Sequence, residues 1–163
     1  MVNIDIHFEE IDSSNQIVYE NLAQCYEAEF SRITEKMPHE DGLFPLDTIP
    51  EGAYIGFLCY LDKTPVGFTI INTDKEIKDI AKFYVIPAMR SKGIGQQMAN
   101  YSFDRYPGKW QVRQIEGADG ATYFWRQVIK DYTNNQYIES KVDDPDYGIV
   151  TRQEFQTAKV PHR

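Results

Sequence analysis

The segment Asp79-Ile80-Ala81-Lys82-Phe83-Tyr84-Val85-Ile86-Pro87-Ala88-Met89-Arg90-Ser91-Lys92-Gly93-Ile94-Gly95-Gln96 constrains the fold most, because it reads as a strand running into a turn that opens a helix. Its first half is β-branched and aromatic, Pro87 ends the strand, and Gly93 and Gly95 leave room for a ligand to approach the backbone between Ser91 and Gln96. A helix start has N–H groups without intrahelical partners and the positive end of the helix dipole. With the cations of Arg90 and Lys92, these predict a site for a diphosphate. Two other phosphate turns are excluded by spacing. A dinucleotide-binding turn needs a third glycine where Met98 stands, and a Walker-type loop needs Gly-Lys-Ser/Thr, which does not follow Gly93.

The elements around this segment can be read from periodicity. Val2 to Ile11, with Ile4, Ile6 and Phe8 alternating, predicts a first strand. Ser13 and Ser14 offer N-caps to a helix whose apolar stripe is expected through Val18, Leu22, Cys25, Tyr26, Glu29, Phe30 and Ile33. Periodicity is lost from Thr34 to Gly52, where Pro38, Gly42, Pro45 and Pro50 interrupt. Ala53–Leu61 and Val66–Thr73 read as an antiparallel hairpin joined by Asp62-Lys63-Thr64-Pro65, and Asp74–Lys78 links it to the motif strand. Ile94, Met98, Ala99, Tyr101, Phe103 and Tyr106 define a helix that Pro107-Gly108 stops, before a strand at Trp110–Glu116. Ala121, Phe124, Trp125, Val128, Ile129 and Tyr132 follow the amphipathic helix template closely. Gln136–Val142 and Tyr147–Thr157 are two final strands around Asp143-Asp144-Pro145-Asp146.

The predicted order is therefore strand, helix, three strands, helix, strand, helix, two strands: an α/β mixture on a mixed sheet, in a single domain spanning residues 1–163. With 42% hydrophobic and 13% aromatic residues, 163 residues suffice for one core. No stretch near the N-terminus combines a basic flank with an apolar core, so neither a signal peptide nor a membrane span is expected, and the protein is placed in the cytoplasm. Cys25 and Cys59 lack metal-ligand spacing and are expected to be reduced packing residues. A net charge of −8 argues against nucleic acid and suits a cationic partner. His39-Glu40-Asp41 is read as a charged loop, since His7 and His162 lie elsewhere without ligand spacing; no metal is expected.

Val85-Ile86-Pro87 followed by Arg90-Ser91-Lys92-Gly93-Ile94-Gly95 resembles the acetyl-CoA motif of the GNAT-superfamily N-acetyltransferases, Arg/Gln-x-x-Gly-x-Gly/Ala after a strand ending in Val-x-Pro. The resemblance extends architecturally over Ile4 to Phe155. Phe124-Trp125 and Pro107-Gly108-Lys109-Trp110 further resemble a less-studied subgroup with Phe-Trp in the last helix. What the resemblance implies is a GNAT-type acyl-CoA N-acyltransferase fold, a mostly antiparallel central sheet with helices on both faces. It implies an acetyl-CoA-dependent transfer to a small-molecule or peptide amine, and a possible homodimer through the late strands, Tyr147 to Phe155. The backbone of Phe83, Tyr84 and Val85 would contact the pantetheine arm, and Arg90, Ser91, Lys92, Gly93, Ile94, Gly95 and Gln96 would hold the diphosphate.

Such chemistry needs a proton removed from the acceptor ammonium, a donor for the oxyanion and a proton for the departing thiolate. In the family a motif-strand N–H serves the oxyanion, and three other positions depart from the pattern here. Trp125 stands where the family places a tyrosine acid, and an indole does not ionise, so it is read as a packing residue beside the cofactor. Ala118 replaces an asparagine that bonds the cofactor. Lys82 stands near the place of a glutamate base and is a poor base while protonated. Tyr84 and Tyr123 are the candidate acids and Glu116 the candidate base, while Glu35, Glu40 and Asp41 are placed to attract an amine. Loss of the usual amide and phenol also fits an acetyl-CoA sensor or interaction module with little or no activity.

Overall fold

A computed structural model of the chain describes residues 4–73 and 76–158. Val2 of the expected first strand, Asp74 of the expected link and His162 lie outside them. The elements run β1 (Ile6–Glu10), α1 (Gln16–Thr34), β2 (Tyr54–Leu61), β3 (Thr64–Asn72), β4 (Ile77–Val85), a 3-10 turn (Pro87–Met89), α2 (Ile94–Arg105), β5 (Gly108–Ile115), α3 (Asp119–Thr133), β6 (Ile138–Asp144) and β7 (Gly148–Thr157). This is the order read from periodicity. The strands form a seven-stranded mixed sheet in the order β1-β2-β3-β4-β5-β7-β6. β1/β2, β2/β3, β5/β7 and β6/β7 pair antiparallel, and β4 pairs parallel with β5 from Ile77↔Lys109 to Asp79↔Gln111. Parallel neighbours require a crossover, which α2 supplies. Among the described residues no helix is long and apolar enough to cross a membrane.

The chain divides into two compact units, residues 1–72 with 81–95, and residues 73–80 with 96–163. In the first, Ile11, Tyr19, Ala23, Leu58, Phe68 and Ile70 make a core that includes Tyr84 of β4. β3 and β4 approach closely there. Ile86 N donates to Val66 O at 2.9 Å, and a Cβ at Gly67 would collide with the Tyr84 carbonyl, so glycine is what allows the motif strand to lie against β3.

Four expectations for this unit are corrected. The buried face of α1 is centred on Tyr19, Ala23 and Glu27, with Val18, Leu22 and Tyr26 half-buried beside it. Hydropathy missed that line because one of its three members is a carboxylate. Cys25 consequently faces solvent and is not a packing residue, whereas Cys59 is fully buried. Asn15, not Ser13 or Ser14, precedes the helix: Ser14 is engaged by Asp12 through both N–H and hydroxyl, and the Asn15 amide donates to Glu10 O. The hairpin link is also shorter than expected. Leu61 pairs with Thr64 around Asp62-Lys63, with Asp62 at φ 58°, so Thr64 and Pro65 belong to β3.

The second unit has an aromatic core. The Phe103 ring meets Trp110, Phe155 and Tyr132 edge-on at 5.0, 4.9 and 5.1 Å between centroids, with Trp125 tilted at 6.4 Å. Trp110 satisfies its indole N–H on Tyr106 O at 2.8 Å. On α3, Trp125, Val128 and Ile129 are buried as the template requires, but Ala121 is exposed. Two polar groupings are buried or half-buried in this unit: Gln114 and Gln153 exchange amide hydrogen bonds, and Arg113 bridges Asp79 and Asp144.

Candidate functional site

Past Val85 the chain makes its 3-10 turn, Arg90 is extended, and Ser91 and Gly93 then take left-handed φ values of 61° and 83° before α2 begins at Ile94. Left-handed residues separated by one position turn successive N–H groups toward a common concavity, and the first turn of α2 adds N–H groups that have no partner within the helix. Ile94 anchors the helix start: it is buried, as are Met98 and Ala99 below it. Ser91 and Lys92 are exposed, and Gly93, Gly95 and Gln96 are half-buried. No ion pair engages Lys92 among the described residues, so its charge faces solvent beside the turn.

Arg90 is placed differently from a simple phosphate ligand. Its Nη1 and Nη2 donate to the two carboxylate oxygens of Glu29 at 2.9 Å each, and its Nε donates to Val85 O at 2.9 Å. The guanidinium also lies 5.6 Å from the Tyr84 ring centroid. Glu29, expected on the apolar stripe of α1, is instead exposed and paired with Arg90.

Lys82 is fixed in its charged form. Its ammonium lies 3.3 Å from Glu27 and 3.2 Å from Asp47, and 5.2 Å from the Tyr26 ring centroid. Burial works against the charge, but Tyr26, Glu27 and Asp47 outweigh it and hold the pKa above that of an ordinary lysine. Glu27 is itself buried and takes a second cation, Lys36, at 3.2 Å. The segment after α1 is fastened by the same neighbourhood. Tyr19 Oη donates to Thr48 O at 2.7 Å, and Gln24 both accepts from Phe44 N at 2.7 Å and donates to Phe44 O at 2.9 Å. Burial pushes the Tyr19 phenol up to about 12.

Tyr84 is buried beneath Arg90, tilted on Phe68 and edge-on to Tyr26. Burial first, then Glu29, raises its pKa, so at neutral pH it holds its proton. Phe83 is half-buried and Val85 buried. Tyr84 belongs to the first unit, and Tyr123 and Glu116 to the second. Tyr123 is 69% exposed, and Glu116 lies exposed in the turn after β5. Ala118 is the buried N-cap residue of α3, a position that offers no side-chain oxygen, and its carbonyl accepts from Thr122 N and Oγ1 at 3.0 Å. Trp125 is buried against Phe103 and Phe124.

Glu35 is the left-handed C-cap of α1, at φ 61°, and Glu40 and Asp41 are exposed in the turn closed by His39 N to Leu43 O at 2.9 Å. Among the described residues, no group of three or more His, Cys, Asp or Glu could hold a metal ion.

A sequence model of the acetyltransferase (GNAT) family matches residues 15–126, and the chain belongs to that family. No curated protein matches it. Its fold is similar to that of the ribosomal-protein-alanine N-acetyltransferase of Escherichia coli (TM-score 0.62, 10% identity, covering 96% of this chain and 97% of that one). It is also similar to the PaiA N-acetyltransferase of Thermoplasma acidophilum, solved in complex with coenzyme A (0.61, 9%, 93% and 100%). A chimeric spermidine N-acetyltransferase from Vibrio cholerae and hSSAT has a comparable fold (0.64, 11%, 93% and 95%). The class of protein is thus a GNAT acetyltransferase, whose members use acetyl-CoA.

Proposed function

We propose that the chain is an acetyl-CoA-dependent N-acetyltransferase that passes the acetyl group directly to a primary amine, with both substrates bound at once. The observation that carries this reading is the Ser91/Gly93 turn, whose left-handed residues deliver the end of β4 onto the first N–H groups of α2. Acetyl-CoA would supply the acyl group as an activated thioester. The turn amides from Arg90 to Gln96, with Lys92 beside them, would hold its diphosphate, and the backbone of Phe83, Tyr84 and Val85 would line its pantetheine arm. The family match runs across both compact units, which supports one catalytic domain.

Side chains for proton handling follow from exposure. Lys82 is held as a cation and does not serve as a base. Tyr84 keeps its proton in a buried setting, whereas Tyr123 and Glu116 meet solvent and are the groups able to exchange protons with it. A small cationic amine is the acceptor class that agrees with a net charge of −8 and with the exposed Glu35, Glu40 and Asp41. Spermidine, in the name of one of the similar structures, is an amine of this kind.

A second reading, a CoA-binding sensor with little activity, is favoured by the fixed charge of Lys82 near the base position and by the bare Ala118 cap. One assay separates the two. Purified protein is mixed with acetyl-CoA and a panel of polyamines, aminoglycosides, amino acids and peptides, and free thiol is followed. Thiol release that depends on an acceptor supports the transferase; CoA binding without release supports the sensor. Absence of CoA binding overturns both.

A further inference from the structure

We infer that Glu29 and Arg90 form a clamp that sets the shape of the diphosphate turn, so that Arg90 acts on the cofactor as a positioning residue and not as its counter-charge. This rests on the reading of the turn as a CoA site. The clamp ties three elements of the first unit together. Glu29 lies in the third quarter of α1, Val85 ends β4, and Arg90 immediately precedes Ser91, the first left-handed residue of the turn.

The geometry of the guanidinium carries the argument. Three of its nitrogens are directed at protein groups at 2.9 Å: two onto the paired oxygens of Glu29, and the third onto the carbonyl that closes the strand. Its face lies over Tyr84, itself buried in the core. A planar fork spent on a carboxylate in this way is directional, which a lysine's point charge is not. The pair is also electrically neutral. An anion arriving at the turn therefore meets little net charge from Arg90, and the cation exposed beside the turn is Lys92. The clamp instead fixes the backbone on both sides of residues 86–89, and a turn held in its binding geometry before the ligand arrives loses less entropy on binding.

Two roles for Arg90 predict opposite signs. If Arg90 served as a counter-charge, Glu29→Ala would free its full positive charge, remove a nearby negative one and tighten CoA binding. If the pair is a clamp, the same change loosens the turn and weakens binding. Arg90→Lys separates them again, since it keeps the charge and loses the fork.

The experiment is calorimetric titration of CoA into the wild-type full chain, Glu29→Ala, Glu29→Gln and Arg90→Lys, with thermal melts and amide exchange of residues 90–95 measured on each free protein. The clamp predicts that all three variants bind CoA about threefold more weakly, the scale of one ion pair whose two side chains are 43% and 44% exposed. It also predicts faster exchange at the turn with melting temperatures near the wild type, and, with any acceptor that turns over, a loss located in KM for acetyl-CoA and not in kcat. Glu29→Gln keeps the side-chain shape, so it decides the matter if Glu29→Ala folds poorly. Affinity unchanged or increased in the Glu29 variants, or wild-type affinity in Arg90→Lys, overturns the clamp while leaving the CoA site standing. No CoA binding by the wild type overturns the site itself, and the clamp's role with it.

Discussion

The two compact units bury different chemistry beside their helices. In the first, α1 contributes a carboxylate to its buried face: Glu27 lies between Lys82 and Lys36, and Lys82 reaches on to Asp47. In the second, the corresponding face of α3 is apolar, and Trp125 joins rings around Phe103. Rings exclude water, so the α3 face of the second unit is held mainly by the hydrophobic effect. The ions Arg113, Asp79 and Asp144 and the amides of Gln114 and Gln153 lie on that unit's strands. Ions out of water must be matched at fixed distances, and their net contribution to stability is small even when their loss is costly. The charged cluster surrounds the motif strand one residue before Phe83, and it fastens the segment that follows α1. The difference teaches that α1 gives up part of its apolar face for defined positions where cofactor and acceptor are proposed to meet.

If that contrast holds, Trp125→Ala should destabilise the protein by about 3 kcal/mol or more, as loss of a large buried aromatic does, with chemical denaturation as the measure. Unchanged stability with collapsed turnover would instead make the indole a functional group and end the contrast. Gly93→Asp should act on the other side of it. A carboxylate in the turn opposes a diphosphate, and CoA affinity should fall by a hundredfold or more, about 2.7 kcal/mol, while the fold survives; calorimetry and a thermal melt check both halves.

A smaller effect is expected from Glu27→Gln, which leaves the Lys82 ammonium with Asp47 alone and Lys36 unpaired. About 2 kcal/mol of stability should be lost in denaturant, below the cost of orphaning a fully buried charge because Asp47 remains. No loss would show that the charges are solvated and the cluster is ornamental.

The smallest expected effect is acid sensitivity, and it tests the paired carboxylates of both units. At Asp47 burial raises the pKa, but Lys82 outweighs it and the net shift is downward. At Glu139 the Arg126 hydrogen bond lowers it, against a smaller effect of burial. A folded pKa below the unfolded value means stability that is full above the unfolded value and is lost as pH falls through the folded one. Denaturation midpoints should therefore decline below about pH 4. Lys82→Met should remove the Asp47 share of that decline and Arg126→Ala the Glu139 share; a wild-type profile in both variants would refute the pairing.

Much of this was visible in the chain before folding. The order of elements, the helical stripe of α3 and the turn from Arg90 to Gly95 followed from local signals: apolar spacing, proline stops and paired glycines. What escaped notice shares one property. Glu27, Glu29, Asp47 and Gln24 are polar residues that each have a partner 20 to 61 positions away, at Lys82, Arg90 or Phe44. No window of neighbouring residues contains such a pair. The same limit misplaced the buried line of α1, where an ionised side chain occupies a core position, and it made Cys25 look like packing.

The amino-acid order by itself determined the class of fold and the turn from Arg90 to Gly95, because helix periods, strand alternation and the conformational freedom of glycine act over a few residues. Tertiary structure alone decided how the charges were used: which carboxylate holds Arg90, which pair holds Lys82, and which of Tyr84, Tyr123 and Glu116 meets water. Those outcomes depend on distances between segments remote in sequence, and Coulomb energies and hydrogen bonds are set by distance.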